Sequence, residues 1–150
     1  MSDQQTDADV YAIREVVRLL YASISGPADQ APDWDLNASL FAPVGRSLVV
    51  HTRADGSRHL ELLTCDEFRR SRDAYLSTHA FYEIETHSDV IVEGNIAHVM
   101  SYYASRHNLD DAPFEHGVNS IELVRLDGMW RVVFIMWEAG QIAQSLRRRQ

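Results

Sequence analysis

The spacing of the apolar residues changes once along this chain, from a helical period to a strand period. Apolar side chains recur at steps of three and four over residues 10–24, which predicts one helix of about four turns with a single apolar stripe. From Phe81 onward they follow the two-residue period of strands, interrupted by short polar turns. Early helices and late strands predict a single α+β domain over residues 1–150, with an ordered core over about 7–140.

Two further helices and a hairpin are predicted between these parts. Asp33 is a suitable N-cap for a short helix, and strand-forming residues on both sides of a turn predict a hairpin over residues 46–63. Thr64 and Glu67 match a capping box, which predicts a third helix over residues 65–77. The predicted strands of the final meander are 82–92, 96–107, 117–126 and 130–138.

The last predicted strand is apolar on both faces, whereas an antiparallel strand with one face in water should alternate with polar residues. Simple alternation gives two apolar sets, Val132, Phe134 and Met136 on one face and Val133, Ile135 and Trp137 on the other. One face should pack on the helices, and we expect a second copy to cover the other, forming a homodimer through the sheet. Trp137 is assigned to that interface.

All of the positive charge is guanidinium, because the 14 basic residues are all arginine, against 22 acids and a net charge of −8. A chain without lysine cannot form a Schiff base through its own amine, which excludes lysine-type aldolase and pyridoxal phosphate chemistry of that kind. The acidic balance also argues against nucleic acid as a partner.

Location is predicted from what the sequence lacks. The single cysteine, Cys65, cannot form an intramolecular disulfide, and no secretory leader or membrane-spanning run of about 18 apolar residues is recognised. We therefore expect a cytoplasmic protein with no membrane contact.

Short motifs along the chain resemble a known group of proteins. They are Ser25-Gly26, Asp33-Trp34-Asp35, Leu40-Phe41-Ala42-Pro43, Asn95-Ile96-Ala97-His98-Val99, Gly117-Val118-Asn119-Ser120-Ile121 and Asp127-Gly128-Met129-Trp130-Arg131-Val132-Val133. Together they resemble the nuclear transport factor 2-like superfamily in its SnoaL-like branch, and within it an uncharacterised bacterial group. The resemblance implies a cystatin-like cone, with three N-terminal helices packed on a curved antiparallel sheet and a pocket at the wide end.

Proton-transfer members of this superfamily use a carboxylate or a histidine inside an apolar cavity. In the steroid isomerase-like members, an acidic base follows the second helix. Here that strand reads Leu48-Val49-Val50-His51, so His51 is the titratable residue near the expected position. This departure argues against the steroid isomerase reaction and leaves histidine-based proton transfer open.

A second candidate set lies on the predicted strand 96–107, where His98, Tyr102 and Arg106 share one parity. If that face lines the cone, Arg106 and Tyr102 would hold an anionic or carbonyl ligand, and His98 would be the acid or base. The alternative is a hydrogen-bonded sheet histidine and an arginine paired with a surface acid. Glu122, on the next strand, would either join a buried dyad or form an exposed cross-strand pair.

Three further residues have two interpretations each. Asn119 would either orient a ligand or fix a bulge, and Trp34 and Tyr21 would either line the mouth of the cone or belong to the core. The seven histidines show no metal-ligand spacing, so neither a metal nor another cofactor is predicted.

Three functions are compatible with the sequence. The first is a cofactor-free lyase or isomerase acting on a small apolar or anionic molecule. The second is a non-catalytic binding module, and the third is a dimerisation module whose pocket is closed by its own aromatic residues. A cavity well below about 300 Å3 would argue against both ligand-binding functions.

Overall fold

The computed structural model describes residues 3–140. Its elements, in chain order, are α1 Asp3–Ile24, α2 Trp34–Ser39, β1 Phe41–Thr52, β2 Arg58–Leu63, α3 Cys65–Leu76, β3 Tyr82–Glu93, β4 Ile96–Arg106, β5 Glu115–Leu126 and β6 Met129–Glu138. No helix within this range is long and apolar enough to cross a membrane.

The local capping signals are confirmed. The Asp33 side chain accepts a hydrogen bond from the backbone of Leu36 at the start of α2, and Thr64 and Glu67 form a reciprocal capping box on α3. Two boundaries differ from the predictions by more than two residues: α1 begins at Asp3, and β1 already begins at Phe41. The strand propensity of single residues does not predict the early start of β1, because that start depends on pairing with β6, which is distant in sequence.

The six strands form one sheet in the order β2-β1-β6-β5-β4-β3. The prediction of an entirely antiparallel sheet is wrong for one pair, because β1 and β6 run parallel. The chain between these strands contains α3 and the first three meander strands, which provide the long crossover that a parallel pair requires.

The core lies between α1 and the inner face of the sheet. Ile13 and Val17 of α1 are almost completely buried, as are Val99 of β4 and Ile121 of β5, which belong to the same apolar cluster. Burying each such side chain contributes about 1.5–3 kcal/mol. This packing decides which parity of each meander strand faces inward.

A bulge in β6 changes the predicted facing of that strand. Val133 has no partner on β5, so β6 has one residue more than its neighbour at this point. The extra residue places Ile135 and Trp137 on the same side as Val132, facing the helices, while Met136 lies outside. Simple alternation is therefore wrong beyond residue 132.

Candidate functional site

A cavity of about 330 Å3 lies between the inner face of the sheet and the three helices. This volume is above the lower limit of ordinary ligand sites, so the aromatic residues do not close the space. Five of the lining side chains are aromatic residues from β1, α3, β6 and the segment before β3, namely Phe41, Phe68, Tyr75, Phe81 and Trp137. A planar apolar molecule would therefore meet ring faces and edges on several sides.

Two acidic side chains stand in one row on the cavity wall. Glu83 of β3 pairs with Ser105 of β4, which in turn pairs with Glu115 of β5. The Ser105 hydroxyl donates to Glu83 Oε2 at 3.3 Å, and both acids line the cavity. Adjacent strands lie about 4.8 Å apart, so the backbones of the two acidic residues lie about 10 Å apart across the sheet.

The end of α1 fixes the position of Glu83. The Ser25 hydroxyl accepts a hydrogen bond from the Glu83 backbone N–H at 3.0 Å and donates to the Tyr21 carbonyl at 2.7 Å. Next to it, Gly26 and Phe81 form a β-bridge. The first residues of β3 are therefore attached to the C-terminus of the long helix.

The carboxyl groups of the two acids have raised pKa values, and burial is the main cause for both. Burial raises the pKa of Glu83 to about 8, with a smaller contribution from the charge of Glu115, and the Ser105 hydrogen bond opposes the shift. Burial also raises the pKa of Glu115, whose carboxyl group is only half enclosed. At pH 7 Glu83 is therefore mainly a neutral acid that can donate a proton.

Tyr103 places a phenol in the same cavity. It pairs with Gly117, and the Tyr103 ring occupies the space where a Cβ at position 117 would stand. Its hydroxyl forms no hydrogen bond to any residue in the described range. Burial is the main cause that raises the pKa of Tyr103, and the negative charges of Glu83 and Glu115 raise it further. The Tyr103 hydroxyl remains protonated at neutral pH and can donate to a ligand.

Tyr21, by contrast, already uses its hydroxyl within the protein. The Ser101 hydroxyl donates to Glu85 Oε2 at 2.5 Å, so the Tyr21 hydroxyl is the donor in its 2.6 Å bond with Ser101. Asn119 Nδ2 donates to the same Tyr21 oxygen at 3.0 Å. These buried hydrogen bonds hold Tyr21 in the cavity wall, and its hydroxyl has no proton left to donate to a ligand.

The structure brings two of the predicted ligand-binding residues to the cavity. Tyr21 and Asn119 both line it, and their part in binding stays a prediction. Trp34 does not line it: its indole N–H donates to Asp73 Oδ1 at 2.7 Å, and its ring packs edge-on against Phe68. Trp137, assigned to an interface, lines the cavity, which corrects that assignment.

The prediction that His98, Tyr102 and Arg106 line the cone is wrong. Val99 and Tyr103 of the same strand pack inward against the core, so the other parity faces outward. His98 Nδ1 lies 2.5 Å from Glu122 Oε1 across the outer face, while Arg106 donates to the Asp111 carbonyl at 2.9 Å. Glu122 is thus a cross-strand partner outside the cavity.

His51 also lies outside the cavity. Its ring stacks on His59 at a centroid distance of 4.7 Å, and its Nε2 lies 3.2 Å from Glu61 Oε1 on the neighbouring edge strand. None of the histidines in the described range lines the cavity, and no cluster of three or more possible metal ligands occurs there.

Sequence reasoning missed Glu83, Glu115, Tyr103 and Arg72, which all line the cavity. At the start of β3, Ile84 is 45% exposed while the acid beside it faces inward, which reverses the usual polarity of the two faces. The useful signal was Gly117, because a glycine within a strand often marks a close approach by a neighbouring group.

Comparison with known proteins gives structural matches only. No protein-family model and no curated protein sequence matches this chain. A protein of unknown function with a cystatin-like fold from Nostoc punctiforme superposes with a TM-score of 0.67 at 16% identity, covering 87% of this chain and 90% of that chain.

Two further solved structures are similar over nearly the whole length. An NTF2-like protein of unknown function from Pseudomonas putida has a TM-score of 0.66 at 13% identity, covering 94% of this chain and 92% of that chain. The beta subunit of a putative aromatic-ring-hydroxylating dioxygenase from Novosphingobium aromaticivorans has a TM-score of 0.65 at 14% identity, covering 94% and 96%. At such identities the likeness is one of fold.

Proposed function

We propose that this chain, which has the nuclear transport factor 2-like, cystatin-like fold, is a lyase or isomerase that transfers a proton inside this cavity. The observation that carries the proposal is the row Glu83, Ser105 and Glu115 on the wall of an aromatic cavity, beside a Tyr103 hydroxyl that forms no hydrogen bond within residues 3–140. Carboxyl groups replace the histidines that the sequence suggested.

The environments of the two acids assign them different roles. Glu115 is the less enclosed and the more readily ionised, so it is the proposed base. Glu83 is the neutral acid, and together with the Tyr103 hydroxyl it supplies two hydrogen-bond donors to an oxygen that gains negative charge.

The proposed step begins with a carbonyl compound that has an acidic C–H next to its carbonyl group. The Glu115 carboxylate takes that proton, the C–H electron pair forms a C=C bond, and the carbonyl π pair moves to oxygen as an enolate. Tyr103 and Glu83 donate to the enolate oxygen. If the substrate carries a β,γ C=C bond, the dienolate takes the proton back from Glu115 at the γ-carbon, an isomerisation. If it carries a leaving group on the β-carbon, the oxyanion re-forms the carbonyl, a C=C bond forms between the α- and β-carbons, and the group departs with its bonding pair and takes up the proton held by Glu115, an elimination.

The apolar wall increases the effect of these donors. Phe81 and Ile135 line the same space, and hydrogen bonds to a developing charge are stronger where aromatic and aliphatic groups exclude water. The chemistry requires no lysine, in keeping with the all-arginine composition.

The experiment uses 2-tetralone, an aromatic ketone with exchangeable protons next to its carbonyl. In deuterated buffer, NMR should show that the protein accelerates loss of the α-proton signal. Glu115→Gln should lower the catalysed rate at least about a hundredfold, because a positioned base contributes on this scale. Glu122→Gln, the same change on the outer face of the same strand, is the matched control.

Equal rates for the unsubstituted protein and Glu115→Gln would reject Glu115 as the base. No acceleration over buffer, with 2-tetralone shown by titration to bind, would favour the non-catalytic alternative. That second candidate, a ligand-binding or assembly module, is favoured by the similar structure described as the beta subunit of a putative dioxygenase.

We also propose a homodimer through the outer face of the sheet. Leu62, Leu48 and Met136 form one row across β2, β1 and β6, with Leu62 57% and Met136 37% exposed. An apolar patch without charge can meet its own copy across a two-fold axis, and burial of these side chains would favour association.

A further inference from the structure

One arginine on the helix side of the cavity is placed differently from its neighbours. Arg72 of α3 is half-buried and lines the cavity. Tyr75, one turn further along the helix, lines the same wall and is 46% exposed, so this side of the cavity reaches solvent. Among the residues described as lining the cavity, Arg72 is the only one with a positive charge.

The charge of Arg72 is not neutralised within residues 3–140. Arg69 and Arg70, in the same helix, both pair with Asp66 at 2.9 and 3.0 Å. Arg72 forms no ion pair there, and its Nη1 donates to the uncharged Ser71 hydroxyl at 2.8 Å. Arg72 is thus a half-buried guanidinium that lines the cavity and has no carboxylate partner of its own within residues 3–140. Such a group is suited to bind an anionic group of a ligand.

An aromatic platform holds this guanidinium in place. The Arg72 Cζ lies 5.2 Å from the centroid of the Phe68 ring. Phe68 contacts Trp137 edge-on, with ring centroids 5.9 Å apart, and both rings line the cavity. A ligand held by Arg72 would therefore place its apolar body among these rings.

We infer that Arg72 is an anion anchor and that the ligand is a small aromatic molecule carrying a carboxylate, an inference that rests on the proposed function of the cavity. The carboxylate would bind the Arg72 fork at the α3 side. The reacting carbonyl would lie toward Glu83 and Tyr103, which belong to the strands at the opposite end of the sheet order from β1 and β2, against which α3 packs.

Protonation of the cavity acids is consistent with such a ligand. Burial keeps Glu83 mainly neutral at pH 7, so one of the two acids does not repel a second carboxylate. The ligand charge would meet the Arg72 cation, and the ligand carbonyl would meet hydrogen-bond donors.

The experiment compares 2-naphthoate with 2-naphthamide, which share a ring system and differ in charge. Binding is measured by isothermal titration calorimetry at pH 6.5 and low ionic strength. We expect the unsubstituted protein to prefer the carboxylate by about tenfold or more, since a charge-assisted pair is worth at least that factor. Arg72→Gln should abolish this preference while keeping affinity for the amide.

Arg70→Gln is the matched control, because it removes an exposed arginine of the same helix that is already paired with Asp66. It should keep the full preference. Arg72→Lys retains the charge without the planar fork and should give an intermediate preference, which provides a second variant if Arg72→Gln folds poorly.

Equal affinity for the two probes, binding of neither, or a preference that survives in Arg72→Gln would overturn the inference. None of these results depends on proton transfer, because 2-tetralone is uncharged and its exchange does not require the anchor. Failure of the anchor and failure of the proposed acid–base chemistry are therefore measured separately.

Discussion

The ring of Tyr103 lies directly across Gly117, in the space that any other residue at position 117 would fill with its Cβ. This contact allows a large side chain to lie along the sheet and to present its hydroxyl inside the cavity. The glycine on one strand thereby determines where the phenol of the next strand stands.

Gly117→Ala should destabilise the protein by about 1–3 kcal/mol, because the added methyl group overlaps the Tyr103 ring and forces it to move. Urea denaturation gives the change in free energy of unfolding. Gly26→Ala is the control, since its Cβ would meet no atom within 4 Å. Equal effects of the two substitutions would show that chain flexibility, not the ring contact, determines the cost.

Tyr103→Phe should lower catalysed exchange of 2-tetralone by about a hundredfold or more, since it removes one donor to the developing oxyanion. The fold should persist because the ring remains. Tyr102→Phe removes the neighbouring hydroxyl from the other face of β4 and should leave the exchange rate close to that of the unsubstituted protein. A larger loss in Tyr102→Phe would contradict the assignment of the faces.

Stability should fall as pH rises through the titration of Glu83. Its pKa is raised from 4.5 to about 8 in the folded protein, so between these values the native state binds a proton that the unfolded chain has lost. The stabilisation is complete below pH 4.5 and is lost as pH rises through 8, by an amount on the order of a few kcal/mol.

Glu83→Gln should remove most of this pH dependence, because glutamine does not ionise. The measurement is a series of urea denaturation curves from pH 5 to pH 9, with Glu122→Gln as the control. A stability curve for Glu83→Gln that declines as steeply as that of the unsubstituted protein would mean that another group causes the decline.

Met136→Glu tests the proposed homodimer. A charge at the β6 end of the outer apolar row should shift the mass measured by light scattering from that of two chains to near 17.1 kDa. Glu93→Gln, at the far end of edge strand β3, should leave the dimer intact. A monomer mass for the unsubstituted protein would reject the interface.

Local signals in the sequence predict most of the fold. Thr64 and Glu67 fix the start of α3, and the apolar stripe of α1 predicts its buried face, because both depend on residues within one or two turns. The parallel pairing of β1 with β6 could not be predicted in this way, since it depends on contacts between distant parts of the chain.

The candidate site was predicted less well, because strand parity does not say which face is inside. His98 and Arg106 lie on the same face of β4 and could together bind an anion and transfer a proton. Val99 and Tyr103 belong to the buried core with the residues of α1, so the face with His98 and Arg106 points outward. Glu83 could not be recognised as a cavity residue, since its inward position depends on Ser25 at the end of α1 and on the register with Ser105.

The proposed chemistry requires a neutral carboxylic acid in the cavity at neutral pH, and the titration of Glu83 shows whether that acid is present. In protein labelled with 13C at glutamate carboxyl groups, the Glu83 signal is assigned by its absence from Glu83→Gln and followed by NMR from pH 3 to pH 10. We predict a midpoint near pH 8, because burial disfavours the charged form. A midpoint near the ordinary value of 4.5 would show that Glu83 is ionised at neutral pH and cannot act as the neutral acid.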